Sequence, residues 1–309
     1  VSGRTERLQA ARAAKRLTAA LGAEKRRSWI MRRLVPCTAL CLLACNAFNN
    51  NQTAGDDSAT EATASTSDTP NDPTDGGGLR DVTIYDIQQD KVTPNTLVRV
   101  KDVVVVSPVQ FSASGAGSVF VQELGGGEYS GIQLYIFPMT AAQLQAESKV
   151  PQPGDKLTVI GEYIEYKADG SASDETYSEI NISLASDIEI TGTAVPPQPP
   201  VVSPADIANG GALTEVWEGT VVTVEDVVVT NPDLGFGEYE VTGGLRVDDM
   251  FFLPAGGPKP PQGTKLTLTG PLVYSFDNFK LAPRTCDDYV GFDCDQPDDT
   301  DTDTTGPMG

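Results

Sequence analysis

The stretch VRVKDVVVVSP at 98–108 returns as VTVEDVVVTNP at 222–232. So dense a run of β-branched residues, closed by Ser-Pro or Asn-Pro, reads as a strand that ends in a turn. A second pair of segments follows in the same order: VPQPGDKLTVIGEY at 150–163 and KPPQGTKLTLTGPL at 259–272. A shared lead-in comes first, Tyr85-Asp86-Ile87 in one copy and Ala205-Asp206-Ile207 in the other. Three correspondences in one order mark a tandem duplication. The first copy is 15 residues longer in its middle, and the extra stretch includes TAAQLQAES (140–148), the only segment whose pattern predicts a helix. The other strong signals, SVFVQEL, GIQLYIF, KLTVIGEYIEY and EINISL, are short strands set between Gly, Pro and Asp clusters.

Working outward, the proline-rich segment VPPQPPVVSP (195–204) separates the copies and predicts a stiff, extended linker. Residues 79–194 are expected to form the first barrel, and residues 205–294 the second. Asn46 to Gly78 is built from Asn, Thr, Ser, Ala, Asp and Gly, with Phe48 the one aromatic. Such composition cannot bury enough apolar area to offset the cost of ordering, so it predicts a disordered tether of about 30 Å root-mean-square reach. The tail from Asp295 to Gly309 reads the same way.

The upstream region carries export chemistry. Met31 is followed by Arg32 and Arg33 and an apolar run from Leu34 to Ala44. That run is short for a bilayer span but suits the core of a signal peptide. It closes on Leu42-Leu43-Ala44-Cys45, which resembles the lipobox of bacterial lipoproteins. The resemblance implies that Cys45 carries the lipid and becomes the new N-terminus, with residues 31–44 removed. Cys37 and Cys41 leave with that segment. A twin-arginine route fits the residues around Arg26-Arg27 and Arg32-Arg33 poorly. Residues 1–30, rich in Arg and Ala, read as an extension upstream of the true initiator Met31; a long n-region is the alternative. The expected location is the cell envelope, lipid-anchored, at the outer membrane or cell surface rather than the inner membrane.

Composition narrows the function. The chain has 22 basic and 43 acidic residues and no histidine. Ten of the basic residues lie within residues 1–44, leaving 12 against 41 acids in the remainder. A surface so acidic repels phosphate backbones. Without histidine, Ser/His/Asp and Cys/His catalysis and imidazole zinc sites are excluded. Carboxylate-only chemistry stays open, although the sequence singles out no pair.

Each copy runs from lead-in to a Val-x-Val-x-Asp-Val-Val strand, two further strands, a Pro-x-x-Gly-Asp-Lys-Leu-Thr-Val-x-Gly segment and a final strand. The matching residues are Gly154, Asp155, Leu157, Val159 and Gly161, then Gly263, Leu266, Leu268 and Gly270, with Thr264 in place of the Asp. This order resembles the OB-fold-like modules of bacterial extracellular and surface proteins, often found beside secreted nucleases. The resemblance covers about 82–192 and 203–285. It implies an all-β protein of two tandem OB-like small barrels. Ligands on such barrels commonly lie across strands 2 and 3 and the adjoining loops. That analogy nominates Phe120, Gln122, Tyr129, Gln133 and Tyr135 in the first copy, and Tyr239, Arg246, Phe251 and Phe252 in the second. Strand alternation sends about half of these into the core.

Cys286 and Cys294 are expected to form a structural disulfide in the oxidising envelope. The acidic cluster of Asp287, Asp288, Asp293, Asp295, Asp298, Asp299, Asp301 and Asp303 is read as a solvated tail; Ca²⁺ binding is the less favoured reading, since the Gly turn and closing Glu of an EF-hand loop are absent. Gly125-Gly126-Gly127 lacks the Lys and following helix of a phosphate loop. No cofactor and no metal are expected. The reading is of a non-enzymatic binding or adaptor module for an extracytoplasmic protein or polysaccharide. Its alternative is a surface nucleic-acid-binding lipoprotein accessory to a nuclease or DNA uptake. Against that alternative, the first copy has no basic residue between Lys101 and Lys149.

Overall fold

The computed structural model describes residues 78–168, 170–252 and 259–294. The upstream extension, the signal segment, Cys45, the tether and the acidic tail lie outside the described residues.

The repeated Val-rich strand explains the architecture. It is β2 (Leu97–Val105) in the first copy and β9 (Val221–Gly235) in the second. Val98 and Val100 point into the first core, and so do Val103 and Val105. Strict alternation would send these two pairs to opposite faces. The phase is reset by a β-bulge between Val100 and Val103, where Asp102 takes φ 58°. Asp226 takes φ 57° at the same place, between Val222–Val224 and Val227–Val229. Aspartate is among the few residues that tolerate the left-handed region. Each aspartate also meets the lysine of the second repeated segment: Asp102 to Lys156 at 2.8 Å and Asp226 to Lys265 at 2.9 Å. Such exposed pairs are worth little energetically; the backbone bend is the consequence that matters.

A bent first strand pairs on both sides. In the first copy, β2 binds β4 (Gly117–Glu123) along one edge and β6 (Asp155–Tyr166) along the other. The ladder continues from β4 to β5 (Gly131–Ile136), from β5 in parallel to β7 (Tyr177–Ile182), and from β7 back to β6. The circuit therefore closes. In the second copy β9 pairs β10 (Glu238–Val241), then β11 (Leu245–Val247), then in parallel β13 (Asn278–Leu281), then β12 (Lys265–Ser275), which returns to β9. Both are five-stranded closed ladders of the same order, the OB topology. Short additions complete the sheets: β1 (Arg80–Asp81), β3 (Gln110–Phe111), β8 (Ile188–Thr193) and β14 (Tyr289–Val290).

The glycines of the second repeated segment have distinct uses. Gly154 and Gly263 sit at φ 92° and 87° and donate to Val105 O and Val229 O, so each turn is tied to the first strand. Gly161 and Gly270 allow close approach: a Cβ there would lie 2.7 Å from Asn181 O and 2.5 Å from Ala282 O.

The helix expected at 140–148 is α2 (Pro138–Ala146). Three further helices went unread: α1 (Ile84–Gln88), α3 (Pro204–Ile207) and α4 (Thr214–Trp217). At four or five residues none is long enough to show a 3.6-residue period. The lead-ins lie in α1 and α3, which plug the barrels with Ile84 and Ile87 in one core and Ile207 in the other. Thr83 and Asp86 form a reciprocal capping box on α1.

Cys286 and Cys294 are within bonding distance with Cα atoms 5.9 Å apart, bracketing β14. The segment 195–204 is extended as expected, but it is docked rather than free. Thr223 N donates to Pro200 O and Val202 N to Thr223 O, both at 2.9 Å.

The two barrels belong to one compact unit. A third apolar cluster lies between them, with Val104, Val106, Phe120 and Tyr177 from one side and Val221, Val273 and Ala282 from the other. Polar contacts reinforce it. Tyr129 N donates to Val216 O at 2.8 Å, and Ser178 N to Glu218 Oε1 at 2.9 Å. Arg284 reaches Val106 O at 2.9 Å while its guanidinium holds Asp288 through two nitrogens. The closest approach is glycine on glycine: a Cβ on Gly131 would fall 2.2 Å from Gly219 O. We predict that Gly131→Val lowers stability by about 1–3 kcal/mol, the usual cost of forcing bulk into a packed contact, seen as a fall of several °C in thermal unfolding. An unchanged melting curve would refute the seam.

Candidate functional site at the barrel faces

In the first barrel the outward residues of β4 and β5, the second and third strands of the circuit, form the face on which a ligand was expected; β7 extends it. Register places Phe120 beside Gln133 and Gln133 beside Glu179. The second barrel covers one end of this face. Phe120 is fully buried and meets Phe251 edge-on, with ring centroids 6.0 Å apart. Gln122 is buried too, accepting from Val221 N at 3.1 Å and donating to Ser130 Oγ at 3.0 Å. Tyr129 packs against the second core. Phe120, Gln122, Tyr129 and Phe251 therefore line the seam and not an open groove. The reason is that the copies associate through the surface the analogy assigned to a ligand.

Two further expectations are corrected. Tyr239 lies in the second core, on the same inward side of β10 as Val241 two residues on. Phe252 tilts onto Tyr289, centroids 5.9 Å apart, at the edge of that core. Gln133, Tyr135 and Arg246 stay on outward faces. Gln133 Nε2 donates to Glu179 at 3.2 Å, and Tyr135 stacks edge-on with Phe137 at 5.3 Å.

On the second barrel, the face of β10, β11 and β13 carries alternating charges. Arg246 holds Glu238 at 2.9 Å; Lys280, 1% exposed, holds Glu238 at 2.5 Å and Asp248 at 2.9 Å. Two cations meet two carboxylates, so the quartet is balanced. Its nitrogens and oxygens satisfy one another as buried charges must. The ring of Phe276 lies 5.3 Å from Lys280 Nζ. Asp249 packs beside Gly237, and burial raises its carboxyl above the usual range, with Asp248 adding repulsion. Among the described residues, no three Asp, Glu or Cys side chains converge as a metal site requires.

Sequence reasoning missed Glu179, Glu238 and Lys280. Each occupies an outward position on a strand, where alternation predicts exposure; Glu238 and Lys280 are buried within their own charged face, and Glu179 is buried beside Gln133. Burial pushes the Glu179 carboxyl up to about 7, with Glu165 adding repulsion and the Gln133 hydrogen bond opposing both.

No family model matches the chain, and no curated protein matches it. Among solved structures it resembles a putative aspartyl-tRNA synthetase from Leishmania major Friedlin, at 8% identity and TM-score 0.28 over 41% of this chain and 24% of that one. It also resembles an asparaginyl-tRNA synthetase from Entamoeba histolytica, at 12% identity and TM-score 0.28 over 38% of this chain and 25% of the other. The single-stranded DNA binding protein from Thermus aquaticus aligns over 60% of this chain and 87% of its own, at 11% identity and TM-score 0.20. The chain spans about a quarter of the length of the synthetases. Scores this low carry no functional argument, and the OB assignment rests on the strand circuits themselves.

The Glu179 environment makes a signed prediction. Its folded pKa stands above the ordinary 4.5, so its contribution to stability is fully present below pH 4.5 and is lost as pH rises through 7. The loss is on the order of 3 kcal/mol. Glu179→Gln should flatten denaturant midpoints between pH 5 and 8 and raise the midpoint at pH 8. An equally steep profile in the variant would show that another group is responsible.

Proposed function

We propose that this chain is a non-enzymatic, lipid-anchored envelope protein acting as a binding or adaptor module for an extracytoplasmic protein or polysaccharide. The observation that carries the reading is electrostatic. Of the twelve Lys and Arg in residues 78–294, eleven stand within ion-pair distance of a carboxylate. They are scattered over both barrels rather than gathered on one face. Binding to a nucleic-acid backbone gains most of its free energy from cations that replace condensed counterions. Cations already neutralised by neighbouring carboxylates supply little of that term.

The non-enzymatic part of the reading has similar support. The buried carboxylates Glu179, Glu218 and Glu238 hold a side-chain amide, a backbone N–H and two cations, respectively. These are structural uses. The anchoring part rests on the lipobox resemblance at Cys45.

Two measurements test the proposal. Fluorescence anisotropy of a labelled single-stranded oligonucleotide is expected to show no association at low or moderate salt. Salt-sensitive binding would instead favour the nucleic-acid alternative. Cys45→Ser is expected to move the protein out of the membrane fraction, and unchanged fractionation would defeat the lipid anchor.

A further inference from the structure

We propose that Phe236 and Phe276 form a two-point aromatic clamp for a neutral carbohydrate chain laid across the outer face of β10, β11 and β13. This deepens the binding reading above and rests on it.

The hairpin joining β9 to β10 turns through Phe236 and Gly237, at φ 54° and 86°. The hairpin joining β12 to β13 turns through Phe276 and Asp277, at φ 49° and 62°. Two-residue hairpins with both central residues at positive φ favour Asn, Asp and Gly. A bulky residue there is an outlier, because its side chain crowds the backbone. Yet both hairpins place phenylalanine at the first central position. Neither ring recovers the strain by burial: Phe236 is 96% exposed and Phe276 is 87% exposed. Apart from the Lys280 ammonium under the Phe276 ring, the strain brings no burial, and it points to a role outside the fold.

The floor between the tips suggests the partner. Phe276 lies over Lys280, Lys280 is joined to Glu238, and Glu238 follows Phe236 by two residues. Phe276, Lys280 and Glu238 thus share one face, and the Phe236 turn adjoins that face at Glu238. Arg246 spends Nη1 on Glu238, and its planar fork carries further donors. Register sets Glu240 opposite Arg246. With Glu240 the floor holds two cations, both already paired, and three carboxylates; such hydrogen-bonding groups, flanked by apolar rings, suit a polymer whose C–H faces are apolar and whose rim is hydroxylic. A polyanion would meet carboxylates without free cations. A bilayer would have to accept Asp277 and Glu238 beside the inserted rings, and the Lys280 ammonium beneath the Phe276 ring.

The test is affinity electrophoresis of the full-length chain in gels containing dextran, laminarin, galactomannan or xylan. It is compared with the variants Phe236→Asn and Phe276→Asn. At least one of the four polymers is expected to retard the wild-type protein, with binding weakened about tenfold in each variant, the scale of losing one stacked ring. Both variants should melt a few °C higher, about what relief of a left-handed strain brings. Higher melting excludes misfolding as the cause of lost binding. Undiminished retardation in both variants would overturn the clamp while leaving a polysaccharide-binding protein. Retardation by none of the four would overturn the clamp and the polysaccharide reading together. Association with phosphatidylcholine vesicles that vanishes in the variants would reassign the tips to a lipid surface and overturn the carbohydrate proposal.

Discussion

A closed five-stranded ladder demands that one strand pair along both of its edges, and in this chain a left-handed aspartate meets that demand. At Asp102 and Asp226 the strand gains a bulge, and a bulge bends and twists the strand that carries it. The residues before it hydrogen-bond in one plane and those after it in another. The same extra residue resets the alternation, so that two valines before and two after face one core. Barrel closure, core composition and the direction of every outward side chain follow from that single backbone choice. A residue with a larger barrier to positive φ would oppose it, and glycine would accept it at a cost in chain entropy.

The outward valines displaced by the bulge create the second level of organisation. Val104, Val106 and Val221 face away from their barrels, and alone they would leave apolar stripes in water. Laid against each other, they bury Phe120 and Tyr177 as well. The two copies are identical in topology, yet they use different faces. The first copy contributes β2, β4, β5 and β7; the second contributes the start of β9, the middle of β12 and the segment after β13. The seam therefore removes part of the ligand face in the first barrel only. Burial on the first barrel also fixes unusual titration behaviour, since Glu179 loses solvent with a neutral amide, Gln133, as its hydrogen-bond partner.

Much of this was legible in the residues. The duplication, the strands, the turn glycines and the Cys286–Cys294 pair all appear as local pattern, and local pattern is what short-range physics reads. The short helices escaped because one turn has no period. The ligand face was misjudged for a different reason. Phe120, Gln122 and Tyr129 have the chemistry of a binding groove, and the same chemistry suits an interface between domains: aromatic area with a few satisfied polar groups. Nothing in one chain's sequence tells which of the two surfaces will find it. Lys280 and Glu238 were missed for the converse reason, since charged residues on alternate strand positions normally mark a wet face.

Ser148 aside, which turns the chain just after α2, the left-handed residues divide by how they are tolerated. Asp90, Asn95, Asp102, Asp226 and Asp277 are the types that accept positive φ with little strain. Tyr129, at φ 64°, is of the wrong type, but its backbone N–H and its ring are both engaged by the second barrel. Its strain is offset where it arises. Phe236 and Phe276 are also of the wrong type, and both rings stand exposed at the ends of two tight hairpins, with a contact to the Lys280 ammonium for Phe276. Sequences generally agree with their folds at every level, and disagreements concentrate where something other than folding is being served. By that measure the hairpin tips of the second barrel, rather than the aromatic strand face of the first, are where this chain departs from its own folding rules.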